Sequence, residues 1–376
     1  MKSNISVLSY DYPPNDGGIS RLTASFCQEL SNQGHNIELC TLKMTHSKNI
    51  LHRPDIPTHE LPRKKGFREI GLAKYILKTP VDRTLITTVW NPEATIAYSF
   101  QRKNLYILAH GNEVMPYPNS VKFKIKSELR KRVLKSARCV ICNSRYTQQL
   151  VLDIDSSIKT EVLNPGVDYK RFDIDISKRE AREKLNLPID KKIILSISRI
   201  DAYKGHDTVL HALANLSKSE RQQIHYVIAG KGSYLDDLKK LAESLDLNDC
   251  ITWAGFVQDS DLPILYKASD LFILCTREDK MIRGVEGFGM VFLEAQAAGI
   301  PVIGTNAGGI SDAIIPEQGG WLIEQDNPAE VSKYMKLLIN NPQLFAKQGI
   351  IGQQRAKTDA SWYNYSKQLI HILENY

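Results

Sequence analysis

The chain has 376 residues, 42% of them hydrophobic and 24% charged, a length long for one compact domain and comfortable for two, with the composition of an ordinary globular enzyme. No run of about 18 uninterrupted apolar residues is present, which excludes a helix spanning a membrane. The opening MKSNISVLSYDYPP is too short and too polar for a secretory signal, so a cytoplasmic protein is expected, and the net charge of +7 is gathered in two stretches rather than spread.

Short apolar runs alternate with helical periodicity along the whole chain. The predicted strands are 5–10, 36–42, 84–89, 105–110, 139–144 and 160–166, then a second series at 190–200, 225–230, 251–256, 271–276, 301–305 and 319–323. Near-continuous apolar strands separated by helices mean parallel sheets covered on both faces, and two such series mean an α/β chain of two doubly wound domains. The expected division is 1–175 and 189–358, joined by the charged stretch 176–191, with 359–376 as a terminal helix. Two such domains with facing strand ends make a cleft, and open α/β sheets bind ligands outside the carboxyl ends of their strands. Function is therefore sought in the loops that follow strands.

The first of these, YDYPPNDGGIS, carries two prolines and then Asn15, Asp16, Gly17 and Gly18 before a helix beginning near Ile19. Paired glycines let a ligand approach the backbone and leave helix N–H groups open to an anion; a plain strand-to-helix turn accounts for them equally well. G-x-G-x-x-G is absent after the first strand, and AGKGS (229–233) does not satisfy the phosphate-loop pattern, which disfavours a dehydrogenase or an ordinary nucleoside triphosphatase. Basic residues cluster at 63–74, and 121–138 carries eight basic residues and one acid, interleaved with Val121, Phe123, Ile125, Leu129, Val133 and Leu134. Such a basic amphipathic helix suits an anionic membrane surface; a solvated helix face is the bland alternative, and nucleic acid ranks last because few aromatics are interleaved. Cys139 and Cys142 form a C-x-x-C within a predicted strand, where positions three apart point to opposite faces, so buried free thiols are expected.

In the second series Arg199 directly follows a strand, and Lys204 stands five residues later, before Gly205. A guanidinium fork and an ammonium point charge there suit a diphosphate, although plain surface charges would look the same. Lys231 lies between Gly230 and Gly232 at another strand-to-helix turn. In VEGFGMVFLEAQAAG, Glu286 sits in a glycine turn with Gly287, Phe288 and Gly289, and Glu294 comes eight positions later inside the following helix. A carboxylate is a poor phosphate ligand, so Glu286 suits something uncharged and rich in hydroxyls, and Glu294 a second set of hydroxyls. A nucleoside diphosphate sugar offers both, with a diphosphate between them.

EGFGMVFLE resembles the E-x7-E motif of the retaining glycosyltransferases of family 4, enzymes of the GT-B fold. YPPNDGGIS is similar to that family's glycine loop, HGNE to its histidine loop, and NPGVDYKRF to the segment before its linker. SRIDAYKG, AGKGS, WAGFV and PVIGTNAGGISDAI are similar to its donor-site landmarks, and all of these follow one another in the expected order. Within the family, residues 275–303 most resemble the branch of bacterial mannosyltransferases that includes the mycobacterial phosphatidylinositol mannosyltransferases. Cys275 and Thr276 depart from the Pro-Ser of many relatives, and a longer loop, 277–285, precedes Glu286 and is expected to shape the sugar pocket.

The resemblance implies two Rossmann-like domains facing across a cleft, acceptor in the first and donor in the second, with the C-terminal helix crossing back to the first. It implies that Arg199 and Lys204 bind the diphosphate and stabilise the departing charge. Glu286 would bind the donor sugar's hydroxyls, helped by backbone N–H groups of Phe288 and Gly289, and Glu294 would bind the ribose. Gly17 and Gly18 would lie beside the diphosphate. The backbone around Phe256 and Val257 would receive the base, with Lys231 nearby. His110 would lie near the reacting sugar, a histidine satisfied by main-chain bonds being the alternative for a residue that ends a strand.

The reaction so implied is transfer of a hexose, mannose from GDP-mannose ahead of a UDP-linked hexose, to a glycan or lipid-linked acceptor in bacterial surface polysaccharide, lipopolysaccharide or glycolipid synthesis. The setting is the inner face of the cell membrane, touched peripherally through 121–138. Front-face attack by the acceptor hydroxyl is expected, a donor phosphate oxygen taking the proton. No cofactor is expected beyond the nucleotide sugar, and no metal, since no Asp-x-Asp triad offers itself as a site. Two competitors are a GT-B nucleotide-sugar 2-epimerase, which needs no acceptor, and a non-catalytic carbohydrate- or membrane-binding relative. The latter would have lost one of Arg199, Lys204, Glu286 and Glu294, all of which are present.

Overall fold

The computed structural model describes residues 2–15, 17–44, 56–118, 120–278 and 284–376. Asp16 and residues 279–283, part of the loop expected to shape the sugar pocket, lie outside the described residues. The chain divides into two units, Met1–Gly166 with Trp362–Tyr376, and Val167–Ser361.

The first unit is built on a seven-stranded parallel sheet: β1 (Asn4–Leu8), β2 (Asn36–Leu42), β3 (Thr58–Leu61), β4 (Thr84–Thr87), β5 (Leu105–Ala109), β6 (Cys139–Cys142) and β7 (Thr160–Val162), in the order β3-β2-β1-β4-β5-β6-β7. The second carries six parallel strands: β8 (Lys192–Ile197), β9 (Ile224–Ala229), β10 (Ile251–Gly255), β11 (Leu271–Leu274), β12 (Val302–Thr305) and β13 (Gly320–Ile323), in the order β10-β9-β8-β11-β12-β13. Side chains of a strand alternate between faces, and here both faces are covered. Ile193 and Leu195 of β8 join Phe272 and Leu274 of β11 in one core, while Ile194 joins Leu271 and Ile273 in the other. That double burial is why these strands read as unbroken apolar runs.

Strand β3 was not expected. It is an edge strand in which only Leu61 is buried, and His59 and Glu60 are exposed, so its sequence THEL carries no apolar alternation to detect. The division also falls at Val167 rather than after 175, and the stretch read as a linker is folded into the second unit. Its helix Lys178–Lys184 exposes Arg179, Glu180, Glu183 and Lys184 while Ala181, and Leu187 after it, pack into the core. Arg182 is buried there, donating to the carbonyls of Ala268, Ile189 and Lys191 and pairing with Asp270 at 2.5 Å.

The terminal helix Trp362–Asn375 belongs to the first unit, where Tyr365 lies 6.0 Å from the ring of Phe26 in the helix Gly18–Asn32. The basic stretch forms the helix Val121–Ser136, whose buried residues are Arg130, Val133 and Leu134. Arg130 donates to the carbonyls of Glu113 and Met115, whereas Val121 and Ile125 stand 76% and 69% exposed, one turn apart, with Leu129 continuing the row. All six cysteines are buried free thiols, and burial raises those of Cys139 and Cys142 above the ordinary thiol value. Among the described residues no helix is long and apolar enough to cross a membrane.

Candidate active site

In each sheet the strand order reverses once, between β1 and β4 in the first and between β8 and β11 in the second. At such a point neighbouring loops diverge and leave room for a ligand. Arg199 and Lys204 follow β8, and Glu286 follows β11, so both sides of the second sheet's switch point carry charge. The two loops are drawn together. Lys204 Nζ donates to Glu286 Oε2 at 2.6 Å, with side chains only 10% and 19% exposed. Burial works against the Lys204 charge, but the Glu286 carboxylate, with Tyr203 adding to it, overrides that and holds the amine above its ordinary value. The sequence reading treated the two residues as separate ligands; the structure makes them partners.

Gly205 explains how the loops come so close. Its φ is +71°, and a Cβ there would lie 1.8 Å from the carbonyl oxygen of Cys275, the first residue after β11, so no side chain fits. The carbonyl of Glu286 is held in turn by the N–H of Gly309 at 2.8 Å, from the NAGG loop after β12.

Arg199 is placed differently from Lys204. Its side chain is 71% exposed, paired with Asp201 at 3.0 Å and donating from Nη2 to the Tyr203 hydroxyl at 3.1 Å. Beneath it Ser198 Oγ meets His206 Nε2 at 2.9 Å, and His206 Nδ1 meets Tyr226 Oη at 3.2 Å. His206 is pushed down to about 3 by burial, then by Lys204, so it stays neutral and adds no charge under the basic pair.

Lys231 follows β9, its Nζ 5.4 Å from the ring centroid of Phe256, which follows β10 and is 55% exposed. Val257, half-buried, packs on the core. This exposed ring beside a cation is a stacking surface for a planar group. Gly230 is not an open donor, because its N–H is already given to the carbonyl of Gly255 at 2.7 Å. Phe288 is buried, and Gly289, with φ +95°, precedes the helix Met290–Ala297. Glu294 lies inside that helix, 5% exposed, and accepts a hydrogen bond from Tyr266 Oη at 2.9 Å. Glu286 and Glu294 thus have different partners, an ammonium and a phenol.

Gly17, Gly18 and His110 belong to the first unit, where they too lie after strands. Gly18 has nothing within 4 Å of where a Cβ would stand, and Gly17 only Asp11 Oδ2 at 3.6 Å, so the fold itself does not demand glycine at either. His110 Nε2 donates to the Thr88 carbonyl at 2.8 Å, which fixes that nitrogen as the protonated one, and its backbone N–H donates to Glu113 Oε1 at 2.5 Å. The main-chain contact weighed in the sequence reading is therefore made. Asp11 is raised by burial, against its hydrogen bond with Asn15 and the nearby His110.

Several further charged residues were not singled out from the sequence. Glu93 follows β4, is buried, accepts the Tyr10 N–H at 2.9 Å, and is pushed by burial up to about 7. Arg277, after β11, pairs with Asp207 at 2.8 Å and donates to Thr208 Oγ1 at 3.0 Å, and Asp326 stands 2.9 Å from it. Charged types at strand ends are the only cue that finds such residues. Among the described residues no group of three or more His, Cys, Asp or Glu side chains is placed to hold a metal ion.

Residues 177–355 match the family described as "Glycosyl transferases group 1", and residues 16–171 that described as "Glycosyltransferase Family 4". The chain is 27% identical over 394 residues to the GDP-mannose-dependent alpha-(1-6)-phosphatidylinositol monomannoside mannosyltransferase of Mycobacterium tuberculosis, covering 99% of this chain and 98% of that one. It is 26% identical over 324 residues to the alpha-monoglucosyldiacylglycerol synthase of Streptococcus pneumoniae, covering 80% and 70%. Sucrose-phosphate synthase from Thermosynechococcus elongatus has a similar structure, with a TM-score of 0.79 at 21% identity over 100% of this chain and 99% of that one. Two doubly wound units of seven and six parallel strands are the GT-B architecture, and the chain belongs to the family 4 glycosyltransferases, enzymes that move a hexose from a nucleotide sugar to an acceptor.

Proposed function

We propose that this enzyme transfers mannose from GDP-mannose, with retention, to a hydroxyl of a glycan or lipid-linked acceptor in bacterial surface glycan or glycolipid synthesis. The observation that carries the reading is the Lys204–Glu286 pair at the switch point of the second sheet, where a cation for phosphate and an acceptor for hydroxyls stand 2.6 Å apart. The name of the mycobacterial relative supports mannose; that of the pneumococcal one supports glucose, and a UDP-hexose is the second reading. Arg199 and Lys204 bind the diphosphate, Glu286 the sugar, Glu294 the ribose, and the Phe256–Lys231 surface the base. His110, Gly17 and Gly18 belong to the unit that handles the acceptor.

Glu286 is a weak candidate for a nucleophile, because an ammonium already compensates its charge. The acceptor oxygen therefore bonds to the anomeric carbon on the face that the diphosphate leaves, and its proton passes to the departing phosphate oxygen. Arg199 and Lys204 supply the charge that stabilises that departure, and no bound metal is required; loss of activity in chelator with recovery in manganese would refute this. The row Val121, Ile125 and Leu129, flanked by Lys122, Lys124 and Lys126, docks on an anionic membrane, each cation contributing about 1 kcal/mol. Cosedimentation with anionic but not neutral vesicles tests it.

The deciding experiment is calorimetry with GDP-mannose, UDP-glucose, UDP-galactose, UDP-N-acetylglucosamine and NAD. Binding of GDP-mannose alone supports the reading, a UDP-hexose alone moves it to the second, and binding of NAD alone ends it.

A further inference from the structure

Tyr203 meets Arg199, Lys204 and residues near both ends of the stretch that leads to Glu286, although neither the family resemblance nor the sequence pattern assigned it a role. It lies in the turn Ala202–Lys204 after β8 and is 7% exposed. Its hydroxyl accepts from Arg199 Nη2 at 3.1 Å, and the Lys204 ammonium stands 5.0 Å from its ring centroid. Its carbonyl accepts the N–H of Arg277, at the start of the loop after β11, at 2.7 Å. The far end of that same loop closes on its ring: a Cβ at Gly284 would lie 2.6 Å from Tyr203 Cγ and Cδ1. Two residues beyond Gly284 is Glu286, the partner of Lys204. Cγ and Cδ1 belong to the root of the ring, so any side chain at position 284 would displace the whole ring rather than bend a flexible tip.

We propose that Tyr203, seated against Gly284, is a positioning residue that holds the phosphate-binding pair Arg199 and Lys204 in register with the sugar-binding Glu286. This rests on the diphosphate-sugar reading of the site. Arg199 is long and solvent-exposed, and an unanchored side chain of that kind must be ordered when phosphate arrives. The phenol orders it beforehand, while the ring face restrains the Lys204 ammonium. The glycine lets the Glu286 loop lie flat on the ring, so the two halves of the site share one wall. A phenylalanine keeps the wall and loses the Arg199 bond; an alanine at 284 keeps both residues and pushes the wall aside.

The test is calorimetric affinity for GDP against GMP, and UDP against UMP, since their ratio isolates what the second phosphate adds. Wild type is compared with Tyr203→Phe, Tyr203→Ala, Gly284→Ala and the double variant Tyr203→Ala/Gly284→Ala. Tyr203→Phe is expected to cut the ratio about threefold, and Tyr203→Ala and Gly284→Ala about tenfold each, with monophosphate affinity unchanged. The double variant is expected to lose no more than Tyr203→Ala alone, because both act through one contact. General damage to the fold would weaken monophosphate as well. A wild-type preference for diphosphate that survives Tyr203→Phe and Gly284→Ala, or losses that add in the double variant, overturns the positioning role and leaves the donor site standing. A wild type with no preference for diphosphate overturns both.

Discussion

Replacing Lys204 with methionine keeps the aliphatic stem and removes the charge, leaving Glu286 without the ammonium that stands 2.6 Å away. Breaking a fully buried pair from one side costs about 3–5 kcal/mol, because the remaining charge is stranded. Glu286 is 19% exposed, so water recovers part of that, and about 2 kcal/mol is expected. For a unit the size of Val167–Ser361 this lowers the unfolding temperature by about 4–8 °C. Lys204→Met/Glu286→Gln removes the stranded charge and should regain most of the loss. Donor binding behaves differently, since a charge-assisted bond to phosphate is worth about 1.5–3 kcal/mol, or about 10- to 150-fold in affinity, and the double variant does not regain it. Calorimetric melting of the ligand-free protein and titration with GDP and UDP measure the two effects separately. The amine's folded value lies above 10.5, so its stabilisation is fully present below that pH and lost only as the pH rises through the raised value. A Lys204→Met protein that melts with the wild type, or binds nucleoside diphosphate within twofold of it, would refute the reasoning.

Glu294→Gln should leave the melting temperature close to that of wild type and weaken nucleotide binding about tenfold, while 2′-deoxyribonucleotides bind to both proteins alike; equal losses on ribo and deoxy ligands would remove Glu294 from the ribose. Glu93 rises from 4.5 to about 7 through burial, so the folded chain binds an extra proton between those values. Its contribution is fully present below pH 4.5 and lost as pH rises through 7, a fall of about 3 kcal/mol that Glu93→Gln should abolish in melts taken across that range. Val121→Ser with Ile125→Ser should leave activity on a soluble acceptor unchanged and reduce binding to anionic vesicles; undiminished vesicle binding would exclude this row as the docking face.

The sequence singled out the candidate site residues of the second unit more readily than their arrangement. Arg199, Lys204, Lys231, Glu286 and Glu294 were legible because charged or carboxylate side chains placed just after apolar strands, or inside a small-residue helix, are out of keeping with their surroundings. Tyr203 and His206 looked like ordinary loop residues, since what distinguishes them is contact. Lys204 meets a partner 82 positions away, and Arg277 one 70 positions away. The helix Val121–Ser136 was legible as basic and amphipathic, but its row of exposed apolar residues was not separable from its buried ones until Arg130, Val133 and Leu134 were seen to be its anchors.

The sequence by itself determined the two series of parallel strands, because a strand buried on both faces must be apolar at every position and so announces itself. It also determined which loops carry charge. Edge strand β3 escaped, as did the folding of 176–191 into the second unit, since neither depends on an apolar run. Only the tertiary structure decided that Lys204 pairs with Glu286, that Glu294 turns inward to Tyr266, and that Gly284 leaves room for the ring of Tyr203. The first and last of those contacts join loops that follow β8 and β11, strands that are neighbours in the sheet and far apart in the chain, and local propensity carries no information about which strands will lie side by side.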